Sequence, residues 1–408
     1  RQKPDNIYEL PSSGSNRRYF RISGSGISLI GAKGLDVDEN IAFMEIAKHF
    51  KLKGLPVPQV LCASKDNMFY LQEDLGDARL YGAMAAAREN GAFEAEDMAC
   101  LRSVIEELPK IQFGVSRNFD FSLCYPVSDF NERTVMWDLN YFKYCFLKAV
   151  GLEFQENRLE DDFQKMSEIL LSSSSSTFMY RDFQSRNVMI KDGEPWFIDF
   201  QGGRRGPIEY DLVSFLWQAR ACFTPVMRDE LIGEYLRSAC RYRSFDEAAF
   251  VRRLRYFVLF RTLQVLGAYG YRGYFEHKAH FVQSIPMAIA NLRSLLDEEF
   301  SDLPYLSALV REMTELPLFI PYKEDTELTV RVTSFSYRRG IPDDASGNGG
   351  GFVFDCRAIH NPGRYDEYKK LRLVIAPEAV IFIKSEENYV QIHYQDQNRT
   401  KKFILRSS

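Results

Sequence analysis

Two aspartates and an asparagine lie around two short apolar runs in the stretch FMYRDFQSRNVMIKDGEPWFIDFQGG, residues 178–203. Asp182 and Asn187 come before the run VMI, and Asp199 ends the run WFID, which follows the turn KDGE. A hairpin of this length returns Asp199 to the loop that carries the other two residues. Each residue alone is typical of a loop with Asx turns, so it is their joint spacing that indicates a site.

Phosphoryl transfer requires this set of groups. A carboxylate must orient a hydroxyl group and accept its proton, and oxygen ligands must hold Mg²⁺ at the phosphates. Asp182 can face the hydroxyl group, while Asn187 and Asp199 can supply the oxygen ligands. The spacing therefore predicts a phosphotransferase site.

Composition excludes several other classes of protein. The chain has 408 residues and is 45% hydrophobic, enough for a large core and two to three domains. A net charge of -4 gives no general basic excess for nucleic-acid binding. The 7 cysteines are scattered without a C-x-x-C pair, which argues against disulfides and a cysteine zinc site and predicts a cytoplasmic protein. No apolar run approaches the ~18 residues of a membrane span.

The periodicity of apolar residues predicts an α+β protein with two lobes. Strand-like alternation surrounds one helix, DENIAFMEIAKHFKLKG, and ends in a hinge near residues 70–76. Helical periodicity then dominates, interrupted by the β hairpin near Asp182. Prolines indicate a linker, after which strand patterning returns, with a hairpin turn at Asp396–Arg399. The predicted segments are an N-lobe at 1–75, a helical C-lobe at 76–305, a linker at 306–328, and β-rich tail segments at 329–371 and 372–408.

The motifs YRDFQSRN and IDFQGG resemble those of the aminoglycoside phosphotransferase family, relatives of the protein kinases. The nearest resemblance is to the amino-sugar kinases, which phosphorylate N-acetylmuramate or N-acetylglucosamine at the anomeric hydroxyl in cell-wall sugar recycling. The segments SGSNRRYFRI, LQEDLGD, DFQGGRRGPIEYDLVSFLW and RTLQVLGAYG occur in the order expected for that family, within about residues 5–300. The resemblance implies a bilobal protein-kinase-like fold, a small-molecule sugar substrate, ATP or GTP as phosphate donor, and Mg²⁺.

The resemblance also implies a role for individual residues. Asp182 would be the catalytic base, Asn187 and Asp199 the magnesium ligands, and Asp211 the residue that supports the catalytic loop. The loop over the phosphates would consist of Ser13, Gly14, Ser15 and Asn16. The hinge that meets adenine would include Gln72, Glu73 and Leu75, mainly through backbone atoms.

The chain departs from the family pattern at two positions. Relatives often carry His two residues before the catalytic aspartate, where this chain has Tyr180, and we expect that side chain to pack in the scaffold. The lysine that pairs with the ATP phosphates would be Lys33, which comes late in the strand SLIGAKG. Its helix partner would be Glu39 or Glu45, although both are also typical of a solvated helix face.

Polar residues beyond the metal motif are candidates for the sugar subsite. Arg204 and Arg205 could meet a phosphate or an acidic sugar, and a solvated or Asp-paired role is the alternative. Arg261 and Gln264 lie in an otherwise apolar helix and could border the sugar. The arginines favour a neutral or acidic acceptor over a polycationic aminoglycoside.

The tail resembles parts of two other families. VRVTSFSYRRGIPDDASGNGGGFVFDCRAIHNPGRYDEYKKL resembles the start of the C-terminal domain of RapZ, an adaptor that senses an amino-sugar phosphate and binds small RNA. AVIFIKSEENYVQIHY resembles the first half of a LytTR-type DNA-binding domain. Both resemblances are partial, so we expect the tail not to bind nucleic acid. Two alternatives remain: an aminoglycoside-type antibiotic kinase, and a nucleotide-sensing regulatory adaptor that binds nucleic acid through its tail.

Overall fold

The structure is a computed structural model that describes residues 4–11, 17–173, 175–297 and 299–319, together with the backbone of strands at 380–386, 389–396 and 399–406. The chain divides into two compact units, Arg1–Glu327 and Leu328–Ser408.

A five-stranded antiparallel sheet and one helix form the N-terminal part of the first unit. The strands are β1 (Asn6–Glu9), β2 (Arg18–Gly24), β3 (Ile27–Lys33), β4 (Val60–Ala63) and β5 (Phe69–Glu73), in the order β1-β2-β3-β5-β4. Helix α1 (Val37–Leu52) joins β3 to β4. It begins after Asp36, whose side chain accepts a hydrogen bond from the backbone nitrogen of Glu39, a normal N-cap.

The two faces of this sheet differ in what covers them. Tyr19, Ala32 and Tyr70 are paired across three strands and therefore share one face, here called the inner face. Tyr70 stacks on Phe43 of α1 with ring centroids 5.1 Å apart, so the helix covers the inner face. Lys33 belongs to the opposite, outer face, because side chains alternate along a strand.

Helices form the rest of the first unit. They are α2 (Leu80–Ala83), α3 (Ala85–Asn90), α4 (Ala95–Pro109), α5 (Glu132–Phe142), α6 (Glu156–Leu171), α7 (Ile208–Leu216), α8 (Pro225–Ala239), α9 (Glu247–Gly270), α10 (Ala279–Val282), α11 (Ile285–Leu295) and α12 (Pro304–Thr314). The long helix α9 packs closely on its neighbours: a Cβ at Gly270 would lie 2.2 Å from the carbonyl oxygen of Cys145. No helix of the described residues is long and apolar enough to cross a membrane.

Two small β pairs interrupt the helices. Strand β6 (Thr177–Met179) pairs with β9 (Arg204–Gly206), and β7 (Val188–Lys191) pairs with β8 (Glu194–Phe197). The β7–β8 turn consists of Asp192 and Gly193, with φ angles of 55° and 83°, as a two-residue hairpin turn requires. The predicted hairpin is therefore confirmed, and it brings the chain after β8 back to the loop before β7.

The structure corrects the predicted linker at 306–328. Residues up to Thr314 belong to α12, which packs in the helical part with Leu306, Val310 and Met313 buried. These positions have helical spacing, and Pro304 lies at the first turn of the helix, where proline is tolerated. The prolines were therefore a poor indicator of a linker. Residues 320–328 lie outside the described residues.

The described part of the second unit is a three-stranded antiparallel sheet. It consists of β10 (Val380–Glu386), β11 (Tyr389–Asp396) and β12 (Arg399–Arg406), with β11 in the middle. Asp396 pairs with Arg399, in agreement with the predicted turn. The predicted segment at 329–371 lies outside the described residues.

Candidate active site

Asp211 fixes the backbone just before the predicted catalytic base. It is fully buried at the start of α7, and its two carboxylate oxygens each accept a hydrogen bond of 2.8 Å from the backbone, from Tyr180 N and Arg181 N. Burial raises the pKa of Asp211 to about 7, although the two amide hydrogen bonds act in the opposite direction. The loop enters Asp182 from Arg181, which has a left-handed φ of 76°. This conformation is uncommon for arginine, and Asp211 stabilises it.

Tyr180 joins the loop of Asp182 to the segment of Asp199. Its side chain is buried against Phe183 and Phe200, and its hydroxyl donates a hydrogen bond of 2.5 Å to the carbonyl oxygen of Ile198. Burial raises the pKa of Tyr180 well above its usual value, so the hydroxyl remains a neutral donor. This side chain packs in the scaffold and also braces the backbone beside Asp199.

Asn187 and Asp199 come together through the backbone. Ile198 N donates to the carbonyl oxygen of Asn187 at 3.0 Å. The side-chain nitrogen of Asn187 donates to the carbonyl oxygen of Asp182 at 2.8 Å, which leaves its Oδ1 as a possible metal ligand. Asp199 has a φ of 69°, a strained value for a residue other than glycine, of the kind found at functional sites.

The electrostatics of this pair suit a divalent cation. Burial raises the pKa of Asp199, and the nearby charge of Asp182 raises it further. A cation between Asn187 and Asp199 would offset this repulsion. Magnesium commonly takes one or two protein oxygens and completes its shell with phosphates and water, so this donor set fits Mg²⁺. The described residues hold no cluster of three or more His, Cys, Asp or Glu that would bind a metal by themselves.

A chain of polar side chains extends from Asp182 into the helical part. Arg261 Nη2 lies 3.7 Å from Asp182 Oδ1, and Arg261 Nη1 donates to Gln264 Oε1 at 2.7 Å. Gln264 Nε2 in turn donates to Asp138 Oδ2 at 2.5 Å. Tyr210 also donates to Gln264, at 2.8 Å. Arg261 and Gln264, both expected near the sugar, thus lie in one network with the predicted base.

The two arginines after the metal motif point in different directions because they alternate along β9. Arg204 is buried, and its guanidinium donates to the carbonyl oxygen of Gly202 at 3.4 and 3.3 Å. Burial lowers the pKa of Arg204 to about 10, and the charge of Arg181 adds to this effect. Arg205 is exposed and pairs with Asp129 at 3.4 Å. It thus has the Asp-paired role that was the alternative to contact with a phosphate or a sugar.

The predicted nucleotide residues have varied surroundings. Gln72 and Leu75 are buried, and Gln72 pairs with Ile30 in the sheet. Glu73 accepts from Lys191 Nζ at 2.7 Å, so its side chain faces the β7–β8 hairpin. Ser13, Gly14, Ser15 and Asn16 lie outside the described residues.

The structure does not support the role expected for Lys33. Its Nζ lies 5.5 Å from the centre of the Phe69 ring, on the outer face of the sheet. Glu39, one of its two expected partners, instead pairs with Arg17, at 3.4 Å. Lys33 directly follows Ala32, whose side chain belongs to the inner face, so the side chain of Lys33 points to the opposite face.

Sequence reasoning missed two residues of this region, Arg17 and Asp138. Asp138 lies on α5, far in sequence from Gln264, and no motif links the two. Arg17 directly follows the predicted phosphate loop and lies two residues before Tyr19. Because side chains alternate along a strand, this spacing predicts that Arg17 and Tyr19 share one face of the sheet.

Comparison with known proteins establishes the class. Residues 7–250 match the model of the phosphotransferase enzyme family, so the chain belongs to that family. It is an α+β enzyme of protein-kinase-like fold that transfers phosphate to a hydroxyl acceptor. A crystal structure from Ralstonia eutropha, provisionally named an aminoglycoside phosphotransferase, has the same fold with a TM-score of 0.50 and 9% identity, covering 76% of this chain and 94% of that one.

Two relatives carry a more particular name. The chain is 28% identical to the N-acetylmuramate/N-acetylglucosamine kinase of Neisseria meningitidis serogroup B, over 76% of this chain and 92% of the relative. It is 22% identical to the protein of the same name from Pseudomonas aeruginosa, over 77% and 89%.

The tail matches a second family. Residues 328–406 match the model of the RapZ C-terminal domain, in agreement with the resemblance seen at its start. The match continues past Leu371, into the segment compared above with LytTR domains. The LytTR resemblance stays a prediction.

Proposed function

We propose that the protein is an ATP-dependent amino-sugar kinase that phosphorylates N-acetylmuramate or N-acetylglucosamine at the anomeric hydroxyl, in cell-wall sugar recycling. The observation that carries the reaction is the grouping of Asp182, Asn187 and Asp199 around the β7–β8 hairpin. The two relatives named above support the substrate.

Each residue then has a defined task. The Asp182 carboxylate orients the anomeric hydroxyl and takes its proton as the sugar oxygen bonds to the γ-phosphorus of ATP. The bond between that phosphorus and the β,γ-bridging oxygen breaks, and ADP leaves. Asn187 and Asp199 would hold Mg²⁺, which would neutralise charge on the phosphates. Arg261 Nη2, 3.7 Å from Asp182 Oδ1, places a positive charge beside the base.

The charge beside Asp182 favours a neutral or acidic acceptor. Arg181, Arg204 and Arg261 each act electrostatically on Asp138, where burial raises the pKa and these positive charges oppose that effect. Three positive charges therefore act on Asp138, which belongs to the same side-chain network as Asp182. An aminoglycoside would bring further positive charge here at an electrostatic cost, whereas the carboxylate of N-acetylmuramate would not.

The test is ADP release from ATP and Mg²⁺ with N-acetylmuramate, N-acetylglucosamine, glucosamine, kanamycin or no sugar. Turnover with the N-acetylated sugars, together with loss of their reducing-sugar response, is the expected result, because phosphorylation of the anomeric oxygen blocks ring opening. Turnover with retained reducing response would contradict the anomeric position. Turnover with kanamycin alone would make the enzyme an antibiotic kinase. Replacing ATP by GTP in the same assay identifies the donor.

The match of residues 328–406 to the RapZ C-terminal domain favours one second candidate, a nucleotide-sensing adaptor that binds nucleic acid. Its signature would be RNA or DNA binding that weakens steeply with salt, since phosphate contacts release counterions. We expect no such binding in a mobility-shift titration of the full chain.

We also propose a cytoplasmic location. The argument is the scattered cysteines, of which the six described are all free thiols. Cell fractionation with compartment markers is the check.

A further inference from the structure

Arg17 is a deeply buried cation next to the inner face of the N-terminal sheet. Its side chain is 2% exposed. It directly precedes β2, in phase with Tyr19, and its guanidinium carbon lies 5.7 Å from the ring centre of Phe43 on α1. A buried arginine needs compensating partners, because removing its charge from water is costly.

The first turn of α1 positions this guanidinium. Glu39 Oε1 lies 3.4 Å from Arg17 Nη2, and Asn40 Oδ1 accepts a hydrogen bond from Arg17 Nε at 3.2 Å. Asn40 is itself held, since its Nδ2 donates to the carbonyl oxygens of Gly34 and Asn67, both at 2.9 Å. The guanidinium is thus held on one side by Asn40, a group that is itself fixed.

Phe43, the ring beside Arg17, connects this region to the predicted metal ligand Asp199. Phe43 stacks on Tyr70 of the sheet and also on Phe200, with ring centroids 4.9 Å apart in the second pair. Phe200 directly follows Asp199 in the chain.

We propose that Arg17, paired with Glu39, binds the phosphates of ATP in the role expected for Lys33. The inner-face residue at the end of β3 is Ala32, which offers no charge, so the cation comes from the neighbouring strand. A guanidinium suits this task because its planar donors match phosphate oxygens two at a time. The inference rests on the proposed nucleotide substrate but not on the identity of the sugar.

The test compares nucleotides that differ in phosphate. Calorimetry would measure the Kd of ATP with Mg²⁺ and the Kd of adenosine for the wild type, Arg17→Met and Arg17→Lys, without sugar. We expect Arg17→Met to weaken ATP binding about 10- to 100-fold, the range for a charged hydrogen bond, and to leave adenosine binding unchanged. Arg17→Lys should fall between, because it keeps the charge and loses the paired donors.

Two matched controls come from neighbouring positions. Lys33→Met removes the cation expected from sequence, and Arg18→Met removes an exposed arginine that pairs with Glu9 at 2.6 Å. Both should bind ATP as the wild type does. The proposal would be overturned if Lys33→Met lost ATP affinity and Arg17→Met did not. An equal loss of ATP and adenosine affinity in Arg17→Met, the signature of a purely structural arginine, would overturn it as well.

A second measurement covers the case in which Arg17→Met fails to fold. In the wild type labelled with ¹⁵N-arginine, the Nε–H resonance that is missing from Arg17→Lys should shift with ATP and not with adenosine. A resonance that ignores ATP overturns the proposal. Because no sugar is present, a wrong acceptor in the proposed function would show only in the ADP-release panel and would leave these results unchanged.

Discussion

The two sides of the candidate site hold their charged groups by different means. On the helical side, defined here as residues 180–211, the side-chain carboxylate of Asp211 holds the loop by accepting hydrogen bonds from two backbone amides, Tyr180 N and Arg181 N. On the sheet side, defined as residues 17–73, the side chains of Glu39 and Asn40 hold the buried guanidinium of Arg17. The loop before Asp182 is therefore held through its backbone atoms, whereas Arg17 is held through its own side chain.

The two sides also differ in how well the sequence reveals their functional residues. The helical side draws its predicted base and metal ligands from one stretch of 26 residues, so their spacing is a motif. On the sheet side, Arg17 and its partners span a stretch of similar length but form no motif, and the motif position for the cation holds Ala32 or Lys33. Four predictions test whether the two sides are separate in function as well.

The largest expected effect is on the helical side. Asp182→Asn should lower kcat about 10²- to 10⁴-fold, the range for a general base, and leave ATP affinity unchanged. Steady-state ADP release measures kcat, and calorimetry measures the Kd of ATP. Asp192→Asn, an exposed turn position that asparagine also tolerates, is the matched control and should retain full activity. Weakened ATP binding in Asp182→Asn would show that the two sides are not separate.

Next in size is a pH effect from Asp211. Its pKa is raised to about 7 in the folded protein, so its contribution to stability is fully present below its unfolded pKa and is lost as pH rises through 7. Relative to Asp211→Asn, the wild type should lose about 1.4 kcal/mol of unfolding free energy per pH unit between about pH 4 and 7. Urea unfolding of both proteins across this range measures the difference. A pH-independent difference would mean that Asp211 is ionised throughout.

A smaller effect tests how tightly the helical side is packed. A Cβ at Gly203 would lie 2.2 Å from Phe178 Cζ, whereas a Cβ at Gly202 would meet its nearest atom at 3.7 Å. Gly203→Ala should therefore cost about 1–3 kcal/mol of unfolding free energy through overpacking, and Gly202→Ala much less. Urea denaturation of the pair decides the point. Equal costs would indicate that the loop relaxes freely around Gly203.

The smallest effect belongs to the sheet side. Glu73 pairs with Lys191 at 2.7 Å, and both side chains are partly exposed. Glu73→Gln should cost no more than about 1 kcal/mol, less in high salt, and leave the Kd of ATP unchanged because hinge contacts to adenine are expected from the backbone. Urea denaturation at low and high salt, with ATP calorimetry, checks it. A change in ATP affinity would give the Glu73 side chain a direct part in nucleotide binding.

Two sequence predictions differ from the placement seen in the structure, for physical reasons. Lys33 was a reasonable candidate, but both faces of the sheet carry apolar residues near it, such as Phe20 outside and Tyr19 inside, so the pattern did not reveal the phase of β3. The predicted linker failed because Pro304 begins a helix rather than breaking one. The roles of Asp182, Asn187 and Asp199 remain predictions that the first experiments address.

The sequence by itself determined the order of the lobes, the β7–β8 hairpin and the grouping of Asp182, Asn187 and Asp199. These features depend on local turn chemistry and short spacing, which a linear chain encodes directly. The tertiary structure alone decided that Arg17 is buried against Glu39, that Lys33 faces outward and that Asp138 joins Gln264. Each of these depends on which face of a strand or helix is covered, and that is settled only when distant segments pack together.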